Sequence, residues 1–136
     1  FGTCAGLIAL ARDIDGGEEP ITGVLDVAVN RNGYGRQVAS CEAAVRYLPP
    51  FDTDGDGLGV FIRAPRITRV GADVDVVATW GDDPVAVRQG DVLATAYHPE
   101  LTDDERLHRW IVDRARAYHR DNGNEDRGEG RRVGAQ

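Results

Sequence analysis

"FGTCAGLIAL", residues 1–10, is the stretch that decides the fold. Gly2-Thr3-Cys4-Ala5-Gly6 has the form Gly-x-Cys-x-Gly, and it runs at once into "AGLIALAR" (5–12), an Ala- and Leu-rich segment that reads as a helix. A cysteine flanked in this way, between a strand end and a helix start, is the cysteine form of the nucleophile elbow. The turn is tight, so glycine is expected where a side chain would strike neighbouring backbone. The turn aims the sulfur away from the sheet. The helix N-terminus behind it favours a thiolate, which predicts a lowered thiol pKa. The Ala5 N–H is then a natural oxyanion donor. The competing reading of the same pentapeptide is a small buried cysteine at a strand–helix junction.

The second informative stretch is "YHPEL", 97–101. His98 follows the strand "DVLATAYH" (91–98), and Glu100 lies two positions on. A cysteine nucleophile needs a base, and the base needs an orienting group that fixes its tautomer. His98 and Glu100 fill those roles if strand 91–97 lies beside the strand leading into Cys4. That adjacency makes an α/β sheet the expected framework.

The remaining elements fit such a framework. "DGGEEP" (15–20) breaks the first helix, and "GVLDVAVN" (23–30) alternates as a strand. "RNGYGRQ" (31–37) is a loop, whereas "VASCEAAVRY" (38–47) fits strand or helix equally. "LGVFIRA" (58–64), "DVDVVATW" (73–80) and "PVAVRQG" (84–90) are further strands, and Gln89-Gly90-Asp91 predicts a hairpin turn. Thr102-Asp-Asp-Glu105 reads as a capping box opening a helix with Leu107, Ile111, Ala115 and Tyr118 on one face. Residues 1–120 form one domain in this reading, and the polar, Gly-rich stretch 121–136 is a disordered tail.

Composition sets the limits. The 136 residues are enough for one core, and 41% are hydrophobic. All 16 basic residues are arginines, against 23 acidic ones, for a net charge of −7. That balance argues against nucleic acid as the main partner. A lysine-free acidic surface fits either adaptation to high salt or a genome that favours arginine codons. No apolar run is long enough to span a membrane. Two cysteines make no disulfide scaffold and point to reduced thiols in a cytoplasmic protein.

Together, "FGTCAGLIALA", "RNGYGRQV", "VFIRAP" and "VLATAYHPELTDDERLH" resemble the class I glutamine amidotransferases, and within them the PdxT/SNO family, the glutaminase subunits of pyridoxal 5′-phosphate synthase. The resemblance runs from residue 1 to about 120. It implies a flavodoxin-like three-layer α/β/α sandwich, mostly parallel with a small antiparallel patch. It implies that Cys4 attacks the side-chain amide of L-glutamine, that His98 shuttles protons and that Glu100 orients it. Arg31, Ile62 and Arg63 match the family's glutamine-binding positions. Ammonia would pass to a synthase subunit, a TIM-barrel oligomer, and the glutaminase itself would need no metal or organic cofactor.

The family's Gly-Gly-Glu-Ser segment, source of the second oxyanion donor, has no counterpart here, so the domain is expected to be N-terminally incomplete and inactive when expressed alone. The alternatives are a glutaminase serving another synthase, or a non-catalytic remnant that only docks. Two decoys are set aside. "DTDGDG" (52–57) opens like a calcium loop but places Arg63 where a bidentate Glu belongs. His108 and His119 sit 11 residues apart on the last helix and read as surface or packing residues, and Cys41 as a structural thiol.

Overall fold

The computed structural model describes residues 1–35 and 40–133, with side chains to Gly123. Strands β1 (Gly2–Thr3), β2 (Ala11–Ile14), β3 (Leu25–Asn30), β4 (Ser40–Tyr47), β5 (Gly57–Ile62), β6 (Arg66–Val70), β7 (Asp75–Trp80), β8 (Asp83–Gln89) and β9 (Val92–Thr95) alternate with helices α1 (Ala5–Leu10) and α2 (Arg106–Val133). Two 3-10 turns span Asp52–Asp54 and Pro99–Leu101.

A six-stranded sheet runs in the order β1-β9-β8-β7-β4-β5, and a three-stranded sheet in the order β2-β3-β6. Only β1–β9 and β2–β3 are parallel among the described residues, and the other ladders are antiparallel. The expectation of a mostly parallel sheet is thus corrected. Short connections leave no room for crossover helices between β4 and β5, β7 and β8, and β8 and β9, so these strands fold back as hairpins. The Gly90-Asp91 turn does this between β8 and β9, pairing Gln89 with Val92.

The core lies between these layers. Leu25, Val27 and Val29 of β3 are fully buried, as are Val85 and Val87 of β8. Leu7 of α1 and Leu93 of β9 join them. The ambiguous 38–47 stretch is strand from Ser40 onward, while its first residues, like Arg36 and Gln37 of the motif before it, lie outside the described residues.

Three helix expectations change. The first helix ends at Leu10, and Ala11 and Arg12, read as its last residues, belong to β2. The capping box does not form, because α2 starts at Arg106. Thr102 Oγ1 instead accepts from the Asp104 N–H at 3.3 Å, and Asp104 Oδ1 accepts from the Arg106 N–H at 3.1 Å. Asp104, nearer the helix, takes an orphan N–H of the first turn. The helix then continues to Val133, into the stretch read as a disordered tail, where no proline stops it. Of its expected apolar face, Leu107 is buried and Ile111 partly so, but Ala115 and Tyr118 are exposed.

Candidate active site

Cys4 sits between β1 and α1 with φ 53 and ψ −104, a conformation that few side-chain-bearing residues adopt. Such backbone strain costs about 1–3 kcal/mol and persists only where surroundings over-determine it. Here the Cys4 N–H donates to the Thr95 carbonyl at 2.8 Å, and the Cys4 carbonyl accepts from Leu7 and Ile8 at 3.1 and 3.3 Å. Gly2 permits the turn: a Cβ there would lie 2.6 Å from the Gly6 carbonyl group. Gly6 differs, since a Cβ there would meet nothing within 4 Å. Only the first glycine of the motif is thus required for space within this chain.

The thiol is half-buried and donates to the Ile62 carbonyl at 3.6 Å. Its pKa is raised, not lowered. Burial is the largest cause, a hydrogen bond from the Ala5 N–H pulls the other way, and the nearby Glu100 charge raises it further. The expected thiolate stabilisation is outweighed because the sulfur is shielded from water. The Ala5 N–H nevertheless lies against the sulfur.

The β1–β9 pairing places the second half of the site. Gly2 lies opposite Ala94 and Thr3 opposite Thr95, so Cys4 emerges next to the strand that continues through Tyr97 to His98. The His98 N–H donates to the Val60 carbonyl at 2.9 Å, which ties the segment to β5. His98 Nδ1 lies 2.5 Å from Glu100 Oε1. A carboxylate partner at Nδ1 assigns the proton to that nitrogen and leaves Nε2 as an acceptor.

The structure brings Cys4, Ala5, His98, Glu100 and Ile62 together. Arg63 follows Ile62 with φ 46, the second positive-φ residue other than glycine among those described. Arg31 lies just past the end of β3 in the three-stranded sheet, where its Nε donates to both Glu18 oxygens at 3.0 Å. His108 packs edge-on against Phe1, and Cys41 lies opposite Phe61 in the β4–β5 ladder, as their packing readings expect. Thr95, whose carbonyl fixes the Cys4 backbone, has no signal in the sequence because its main chain does the work.

A strained Cys elbow at the head of a parallel strand pair, with a His–carboxylate pair following the neighbouring strand, in a mixed α/β fold, defines a class I glutamine amidotransferase framework. Residues 1–117 match the model of the SNO glutamine amidotransferase family, and the chain belongs to that family. It is 56% identical over 118 residues to the pyridoxal 5′-phosphate synthase subunit PdxT of Thermus thermophilus, covering 85% of this chain and 59% of that one. With the subunit of the same name from Anoxybacillus flavithermus it shares 53% over 112 residues, covering 82% and 57% respectively. A crystal structure of a glutamine amidotransferase superposes with a TM-score of 0.75 at 52% identity, over 83% of this chain and 58% of that one. The chain thus spans somewhat under three-fifths of the length of these relatives.

Proposed function

We propose that this chain carries the nucleophile and base of the glutaminase of a pyridoxal 5′-phosphate synthase, the enzyme that hydrolyses L-glutamine to L-glutamate and ammonia. The observation that carries the reading is the β1–β9 register, which sets Cys4 beside the segment bearing His98 and Glu100. Cys4 is the nucleophile. Its raised pKa keeps it a thiol at rest, so His98 Nε2 takes the proton as sulfur attacks the side-chain amide carbon. The oxyanion develops against the Ala5 N–H. The C–N bond breaks as His98 returns the proton to the leaving nitrogen, releasing ammonia. Water, deprotonated by His98, then opens the thioester to give glutamate and the free thiol. Glu100 holds the His98 tautomer throughout.

Arg63 and Ile62 would line the glutamine pocket next to the sulfur. Arg31 would exchange Glu18 for the substrate α-carboxylate, a swap of one bidentate carboxylate for another. The route needs protein groups, glutamine and water only. Ammonia passes to a TIM-barrel synthase subunit, in keeping with relatives that are named as subunits of a synthase. No helix among the described residues is long and apolar enough to cross a membrane, and the reading places the protein in the cytoplasm.

The experiment is covalent labelling with a chloroketone analogue of glutamine, followed by peptide mapping. Cys4→Ala should abolish the label and Cys41→Ala should leave it intact. A label that follows Cys41 would overturn the assignment.

A further inference from the structure

The three-residue 3-10 turn that carries Glu100 is too short to hold itself, and its own bonds are long: 3.2 Å from the Leu101 N–H to the His98 carbonyl and 3.3 Å from the Thr102 N–H to the Pro99 carbonyl. One cluster grips it from both ends. On the N-terminal side, fully buried Tyr97 directly precedes His98, and its hydroxyl shares a 2.7 Å hydrogen bond with the buried hydroxyl of Tyr47. On the C-terminal side, Asp104 takes both Arg106 Nε contacts at 2.9 Å. The Arg106 guanidinium in turn lies 4.0 Å over the Tyr47 ring. Tyr47 therefore touches both arms, with its hydroxyl on one and its ring face on the other.

The acidic loop set aside as a calcium decoy completes the grip. Arg106 Nη1 donates to the Phe51 carbonyl at 2.9 Å and to the Gly55 carbonyl at 2.6 Å, so the guanidinium ties the backbone of this loop to the cluster. Gly57 allows the loop to dock: a Cβ there would lie 2.7 Å from the Tyr47 ring and 2.9 Å from an Asp104 oxygen.

We propose that Tyr47, together with Arg106 and Asp104, is a positioning unit that sets the His98–Glu100 pair against Cys4. The proposal deepens the glutaminase reading and rests on it. None of the three residues contacts the reacting atoms. Their effect is to fix where the imidazole stands, and a base misplaced by about 1 Å costs as much as 10²-fold in rate.

The test uses the protein purified with its synthase partner. Tyr47→Phe keeps the ring under Arg106 and removes only the hydroxyl link. It should lower kcat by about 10- to 100-fold with KM for glutamine nearly unchanged. It should also shift or broaden the low-field proton resonance that a histidine Nδ1–H gives when bonded to a carboxylate. Because that variant strands the Tyr97 hydroxyl, stability alone could slow it. The double variant Tyr47→Phe/Tyr97→Phe removes both hydroxyls, so its melting temperature should recover while kcat stays low. Arg106→Lys, which keeps the charge, should be less impaired than Arg106→Gln. Recovery of kcat along with melting temperature in the double variant, or an unchanged resonance and kcat in Tyr47→Phe, would reduce the cluster to packing and overturn the proposal. A wild-type protein that shows the resonance but releases no ammonia would sink the glutaminase reading instead, and the resonance in the variants would still judge the clamp.

Discussion

At the scale of single residues, the informative departure is the Cys4 thiol. The elbow motif leads one to expect an acidic cysteine, yet burial dominates and Glu100 adds to it. A raised pKa means that less thiolate exists at neutral pH, so alkylation of Cys4 by a small neutral reagent should be slow at pH 7 and rise through an inflection above that of an ordinary thiol. Glu100→Gln removes one of the raising charges, so the inflection should move to lower pH. The same change should cut glutamine turnover by about 10²–10⁴-fold, the loss seen when a triad base is held in the wrong tautomer. The two readouts move in opposite senses. An inflection that stays put would remove Glu100 from the electrostatics of the sulfur, and unchanged turnover would remove it from the mechanism.

At the scale of elements, the seam between β1 and α1 separates the two glycines of the motif. Gly2→Ala drives a methyl into the Gly6 backbone, where no flexible side chain can yield, and should destabilise by about 1–3 kcal/mol as β1 or α1 shifts. Gly6→Ala meets open space at a helical position and should stabilise by about 0.5–1 kcal/mol, the usual gain in helix propensity. Thermal unfolding of both variants checks this, and equal losses would mean that the elbow packs differently. The elements themselves were legible wherever pattern and punctuation agreed: the elbow, α1, β3, the β8–β9 hairpin and the His-x-Glu turn. β6 was not legible, because "RITRV" carries arginines on its exposed positions and follows Pro65 directly, so alternation was hidden by charge. The α2 cap was misplaced because Thr102 and Asp104 are both good caps, and only the closing 3-10 turn, which uses Thr102, decides between them. The Tyr47–Tyr97 bond joins residues 50 apart and leaves no local trace.

At the scale of the whole molecule, Asp104 connects β4, the 51–57 loop and α2 through Arg106, and its titration links the site to acid stability. Burial alone would raise its pKa, but the hydrogen bonds and charge of Arg106 outweigh that, so the folded value lies below the ordinary carboxylate value of 3.8. A carboxylate whose folded pKa is depressed contributes stability that is fully present above the unfolded pKa and is lost as pH falls through the folded one. Several other ion pairs here, such as Arg109–Glu105 and Arg31–Glu18, are exposed on both sides and contribute little. Asp104 should therefore account for a disproportionate part of the acid sensitivity. Urea unfolding of Asp104→Asn should show lower stability than wild type at pH 6–7. The gap should narrow on acidification through about pH 4 and close below the folded pKa, where both chains carry a neutral group at position 104. Since the same residue anchors the turn bearing Glu100, the chloroketone label at Cys4 should slow in Asp104→Asn at pH 7, where the chain is still folded. A gap between the two unfolding curves that stays constant with pH would show that the Asp104 charge does not couple folding to protons.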